Sequence, residues 1–168
     1  MKTNIISVTV EDNPGVLARV AMMFRRRAFN IASLTVGGTE VPGRSRMTIV
    51  INGDQQMVDQ VIKQLDKLVE VLNIVDISKA DSIERELVII KVAADGSSRS
   101  EIIQIANVFR ARIVDFAHNA LIIEATGPDG KISAIIDLLK PYGILELTRT
   151  GKLAMVRSND LSNKEEEI

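Results

Sequence analysis

The residues with the most chemistry to offer lie at Glu11-Asp12-Asn13-Pro14-Gly15-Val16-Leu17, a run of turn formers between two apolar patterns. Before it, Ile6, Val8 and Val10 alternate with Ser7 and Thr9, as a strand with one buried face does; after it, Leu17, Val20, Ala21 and Phe24 recur at helical spacing. Asn13 can cap that helix, and Pro14 suits its first position because the N–H that proline lacks would have no partner there. A tight strand-to-helix turn with glycine at the helix start leaves backbone N–H groups free, and such a turn can hold a small anion or carboxylate. It can also be a capped connection that binds nothing. Asn30, at the next helix-to-strand turn, carries both an acceptor and a donor and could serve either end of a zwitterion, or be a plain turn residue.

Other candidates carry less. His118, the only histidine, sits in a polar turn with Asn119, and no serine or carboxylate is singled out to position it as a base. Arg25-Arg26-Arg27 complement the C-terminal end of a helix, though they could also meet an anion or a partner. Glycines 37, 38 and 43 form neither a dinucleotide fingerprint nor a P-loop, and no spacing of His, Asp and Glu suggests a metal site. With no cysteine there is no thiol nucleophile and no disulfide. Nothing reads as a self-sufficient active site.

These residues must be positioned by a small, aliphatic core. Of the 168 residues 46% are hydrophobic and only 3% aromatic, and the net charge of −1 argues against a nucleic-acid partner. No apolar run approaches a membrane span, and Asn4, Ser7 and Thr9 break any signal-peptide core, so a cytoplasmic location without membrane association is expected. After the first helix come strands at Ala32–Val36 and Met47–Ile51, a helix carrying Val58, Val61, Ile62, Leu65 and Leu68, and a fourth strand around Val69–Val75. The order then repeats: a strand at Leu87–Val92, a helix with Ile102, Ile105, Ala106 and Phe109, strands near 113–116 and 121–125, a helix ended by Pro141, and strands near 144–147 and 153–156. The first helices of the two halves end alike, at Phe24-Arg25-Arg26-Arg27 and Phe109-Arg110-Ala111-Arg112. The expected fold class is α+β: two tandem ferredoxin-like βαββαβ domains, antiparallel sheets backed by helices. The expected boundaries are 1–77, a linker at 78–85, 86–157, and a disordered tail at 158–168.

The ordered motifs resemble a known family. Glu11–Leu17 with Phe29-Asn30-Ile31-Ala32-Ser33-Leu34 resembles an ACT domain, the small amino-acid-sensing module. Pro42-Gly43-Arg44-Ser45-Arg46, Arg85-Glu86-Leu87, Lys140-Pro141-Tyr142-Gly143 and Arg149-Thr150-Gly151 extend the resemblance, from about Asn4 to Arg157, to the regulatory small subunit of acetolactate synthase (acetohydroxyacid synthase). That resemblance implies a non-catalytic chain that binds the large catalytic subunit, raises its activity and confers feedback inhibition by valine in branched-chain amino-acid (valine, leucine, isoleucine) biosynthesis. Thiamine diphosphate, Mg²⁺ and FAD would belong to the large subunit, and this chain would hold none. ACT domains of the family pair side by side as a homodimer with effector sites at the interface. Effector contacts then fall to Asp12, Gly15, Val16, Leu17, Asn30 and Ile31, which the βαβ order can bring to one sheet edge. The family commonly has Asn in the place of Asp12, where a carboxylate should attract an ammonium and repel a carboxylate. An amino-acid-responsive transcription regulator, the alternative class, would need a helix-turn-helix and a basic face, and neither appears.

Overall fold

The computed structural model describes residues 3–158; the rest of the tail, 159–168, lies outside the described residues. Thr3–Glu11 (β1), Val16–Arg26 (α1), Ile31–Gly38 (β2), Arg44–Asn52 (β3), Gln55–Leu65 (α2) and Val71–Asp76 (β4) build a sheet of order β2-β3-β1-β4, antiparallel throughout. Ser82–Ala93 (β5), Arg99–Val108 (α3), Arg112–Phe116 (β6), Ala120–Gly127 (β7), Asp129–Leu139 (α4) and Ile144–Arg149 (β8) repeat the plan as β6-β7-β5-β8, and Leu153–Val156 (β9) pairs with β5. The fold is α+β, with the ferredoxin-like arrangement used twice.

The chain divides into two compact units, one from the N-terminus to Ile83 that resumes at Lys152, the other Glu84–Gly151. The segment read as a linker therefore carries structure: a 3-10 turn at Ile77–Lys79, then the start of β5 at Ser82. The segment around β9 falls with the first unit and not the second. Ala154 closes a small apolar cluster with Ile5, Val50 and Ile77, and the Lys152 N–H donates to Ser33 Oγ (3.3 Å). Burial of the face that β1 and β3 turn away from their helices explains the return.

Each core follows the helical spacing of its sequence. Val16, Val20 and Phe24 of α1 and Val58, Val61 and Leu65 of α2 close over Ile6, Val8, Met47, Ile49 and Ile51. In the second unit Ile102, Ala106, Ile132, Ile135 and Leu139 cover Val88, Ile90, Val92, Leu121 and Ile123. Each fully buried Ile or Leu contributes about 1.5–3 kcal/mol relative to exposure, so either face alone is a sufficient reason for its helix to dock. At the start of α2 the Asp54 carboxylate accepts from the Met57 N–H (2.9 Å), an ordinary N-cap.

Two details at the first helices differ from the sequence reading. Gly15, at φ +91°, is the N-cap of α1; Asn13 does not cap it with its side chain, which donates instead to Glu11 Oε2 (2.8 Å). Pro14 accordingly lies in the turn before the helix. At the other end, the Ala28 N–H donates to the Arg25 carbonyl and the Phe29 N–H to the Phe24 carbonyl, a Schellman closure with Ala28 at φ +55°. The second unit closes α3 in the same way with Arg110, at φ +50°, and the Ala111 N–H on the Ala106 carbonyl. Phe24 is thus the structural counterpart of Ala106 and not of Phe109; the shared Phe-Arg pairs are offset by three residues.

Candidate functional site

The β1–α1 turn leaves several backbone donors unspent. The Asp12 N–H donates to the Gly43 carbonyl (2.9 Å) and the Val16 N–H to the Asn13 carbonyl (3.3 Å). The N–H groups of Gly15, Leu17 and Ala18 find no partner among the described residues, and they sit where the positive end of the α1 dipole emerges. The Asp12 side chain is exposed and likewise unpaired among the described residues. Val16 is buried and belongs to the core, whereas Leu17 is 46% exposed at the mouth of the turn. A Cβ on Gly15 would meet nothing within 4 Å in this chain, so glycine there answers to the left-handed backbone and to close approach from outside, not to internal crowding.

Asn30 and Ile31 do not join this turn within one chain. Glu11 pairs with Arg44 at one end of the sheet, while Ile31 pairs with Ile51, level with Asn4, at the other. From Asn4 to Glu11 the strand advances roughly 23 Å at about 3.3 Å per residue. The expectation that one sheet edge gathers both segments is corrected by this register: β1 and β2 run in the same direction, so a segment after β1 and a segment before β2 must lie at opposite ends.

The equivalent turn of the second unit, β5–α3, is closed on itself. Asp95 Oδ1 accepts from the Ser97 N–H (2.9 Å), the Ser98 N–H (2.8 Å) and both serine hydroxyls (2.7 and 2.8 Å). Those bonds, the Ser97 hydroxyl foremost, hold the Asp95 carboxyl well below the usual carboxylate range. Arg99 Nη2 donates to the carbonyls of Ala94 (3.2 Å), Ala117 (3.0 Å) and His118, and its guanidinium lies 4.7 Å from the centre of the Phe116 ring. Beside it opens a cavity of about 520 Å³ whose lining includes Gly96, Arg99, His118, Asn119 and Tyr142. The Tyr142 hydroxyl donates to Glu101 Oε2 (2.8 Å), a bond that raises the phenol above its ordinary value. His118 and Asn119 occupy the polar turn that the sequence implies; Asp95 and Arg99 lie outside the candidates drawn from the sequence, where the Asp-Gly-Ser-Ser run, a turn signal just ahead of a helix, is the available pointer.

Elsewhere, Arg25 and Arg26 end α1 as expected for cations at a helix C-terminus, and Arg27 donates to Gln64 Oε1 (3.1 Å). Among the described residues no group of three or more His, Asp and Glu could hold a metal ion, and no helix is long and apolar enough to cross a membrane.

A βαββαβ sheet whose first turn opens on a left-handed glycine defines the first unit as an ACT-type domain, a regulatory class of fold. Residues 6–73 match the ACT domain of acetohydroxyacid synthase small subunits, and residues 85–158 match the family described as the small subunit of acetolactate synthase. The chain is 58% identical to a probable acetolactate synthase small subunit of Archaeoglobus fulgidus over 92% of its own length and 96% of the relative's. It is 49% identical to the acetolactate synthase small subunit of Mycobacterium bovis, with 93% of each chain covered. The crystal structure of the acetolactate synthase small subunit from Thermotoga maritima superposes with a TM-score of 0.88 at 41% identity, covering 94% of this chain and 98% of that one. The chain belongs to the acetolactate synthase small-subunit family. Membership implies a regulatory role beside a catalytic subunit.

Proposed function

We propose that this chain binds valine at its ACT unit and passes that signal to the large subunit of acetolactate synthase, which it also activates. The observation that carries the reading is the β1–α1 turn, with its left-handed Gly15 and unspent N–H groups of Gly15, Leu17 and Ala18 at a helix start. An α-carboxylate supplies the charge and acceptors that such a turn lacks. The Asp12 side chain offers the ammonium an acceptor, although its charge also repels the effector's carboxylate, and Leu17 supplies an apolar wall. The chain contributes binding and coupling; carbon–carbon bond formation, with thiamine diphosphate, Mg²⁺ and FAD, falls to the large subunit.

Two copies would reconcile this register with a single site. β2 is an edge strand with one side unpaired. If two protomers join their β2 strands antiparallel about a two-fold axis, the Ile31 end of one strand lies beside the Gly38 end of the other. Gly38 is level with Ser45 and Val10, the end of the sheet that carries the Gly15 turn. Asn30 and Ile31 of one copy then complete the turn of its neighbour, and the exposed edge is consumed. Titration of valine into the full chain, with sedimentation in parallel, tests this. Valine binding by a strictly monomeric form, or acetolactate formation by this chain alone, would overturn it.

A further inference from the structure

We propose that the face of the first sheet turned away from its helices holds a site for a small tetrahedral oxyanion, inorganic phosphate or sulfate, at Arg46. Met47, Ile49 and Ile51 of β3 belong to the helix-covered core, so Arg46 and Thr48, which alternate with them, stand on the opposite face. The register sets Thr9 and Gly37 beside Arg46, and Ser7 beside Thr48, on that face. Arg46 Nε is buried and donates to nothing. Neither its other nitrogens nor the hydroxyls of Ser7, Thr9 and Thr48 have a partner among the described residues. Ser7 and Thr48 are nonetheless nearly closed to solvent, at 8% and 2% exposed. A buried guanidinium N–H without an acceptor is costly, and an anion is the group that would satisfy it.

Room, charge and geometry each favour an oxyanion. A Cβ on Gly37 would meet nothing within 4 Å, so the space beside Arg46 on this face is open. The next row of the sheet sets Arg44 beside Glu11, which gives two arginines against one carboxylate. Glu11 already accepts from Asn13, and among the described residues no ion pair joins it to Arg46. Unlike Arg99, whose Nη2 is committed to carbonyls, Arg46 keeps its whole Nε–Nη edge for a bidentate partner. A carboxylate would spend both of its oxygens on that edge. A tetrahedral oxyanion keeps further oxygens for the hydroxyls of Ser7, Thr9 and Thr48. The site shares no residue with the valine contacts proposed above, and its test reads Arg46 directly, so the two readings fail independently.

The test is heteronuclear NMR of the full-length protein, following the Arg46 Nε–H and the amides of Gly37 and Thr48. Sodium phosphate, sodium acetate and sodium chloride are titrated at matched ionic strength and constant pH. Phosphate should shift these signals saturably, with half-saturation at about millimolar concentration, and should bind roughly tenfold or more tighter than acetate. Arg46→Lys keeps the charge but loses the fork, and should weaken phosphate binding at least tenfold. Gly37→Val puts a side chain into the open space, at a strand position whose φ suits any residue, and should abolish it. Thermal melts without phosphate check that both variants fold; if one does not, the other decides. An Arg46 Nε–H that does not respond, shifts that grow linearly or that chloride reproduces, or binding unchanged in a folded variant would overturn the proposal, as would tighter binding of acetate than of phosphate.

Discussion

In the first unit the turn between β1 and α1 presents amides with no internal acceptor, and its aspartate, Asp12, points its charge at solvent. In the second unit the turn between β5 and α3 sits at the same place in the same topology, but Asp95 folds back and satisfies it. One chain thus holds an open and a self-filled version of one motif. The internal carboxylate does in the second unit what an effector's carboxylate would do in the first. A turn that needs a ligand to complete its hydrogen bonds can sense that ligand; a turn completed by its own side chain holds its helix regardless.

The largest effect expected from this difference is at Gly15. Gly15→Asp places a like charge where a bound valine would place its carboxylate and should weaken valine binding roughly 100-fold or more, while Gly96→Asp should leave it unchanged. Calorimetric titration of both variants separates the two turns; equal losses would erase the contrast. Gly15→Asp also strains the left-handed backbone by about 1–2 kcal/mol, but the position is exposed with nothing within 4 Å of the added Cβ, so the fold should survive, which circular dichroism and a urea titration check.

Next in size is the return of the chain to the first unit. Ala154 is 8% exposed against Ile5, Val50 and Ile77, so Ala154→Asp buries a charge there. It should cost about 2–4 kcal/mol, in line with leaving a buried group unsatisfied, and in denaturant the loss should appear first in the first unit. Hydrogen exchange resolved by segment decides this; loss of protection confined to residues 84–151 would contradict the assignment of β9.

Asp95 gives a pH-dependent prediction for the other side of the comparison. Its folded value lies below the ordinary 3.8, so its stabilisation is complete above that value and is lost as acid titrates the carboxylate through the lowered one. Asp95→Ala should lower the thermal midpoint of the second unit by a similar amount from neutral pH down to about 4, and the gap should close in stronger acid. A gap that widens below pH 4 would mean that Asp95 does not hold the turn.

The smallest effects are at Asp12 and at the helix ends. Asp12→Asn removes repulsion of the effector's carboxylate while keeping an acceptor for its ammonium, so valine should bind equally well or up to about tenfold more tightly. A severe loss would assign the ammonium to the carboxylate itself. Ala28→Gly and Arg110→Gly relieve left-handed backbone at equivalent positions and should each stabilise by about 0.5–1 kcal/mol in urea titrations.

Most of the scaffold was legible in the sequence because helical and alternating spacing reports burial directly. Val58, Val61 and Leu65, or Ile132, Ile135 and Leu139, are core residues by spacing and by structure alike. The Gly15 turn was legible as a turn, but the cap was misplaced: Asn13 has the better intrinsic preference, and the left-handed glycine took the position nonetheless. The docking of β9 could not be read, since a four-residue strand carries no record of which distant cluster it completes. The separation of Asp12 from Ile31 follows from strand direction, which spacing alone does not encode. The pairing of Phe24 with Phe109 failed because the Schellman closures, not the aromatic residues, mark equivalent positions.

The central claim is that an open turn on one copy is completed by Asn30 and Ile31 of another. Gly15→Asp and Asn30→Ala chains should each fail to bind valine alone. Mixed by refolding, they form heterodimers in which one interface site carries neither change. Calorimetry of the mixture should recover about a quarter of the wild-type stoichiometry at wild-type affinity, because half the dimers are mixed and each has one intact site of two. If the mixture stays as silent as its parents while heterodimers are present, the site lies within a single chain and the claim is wrong.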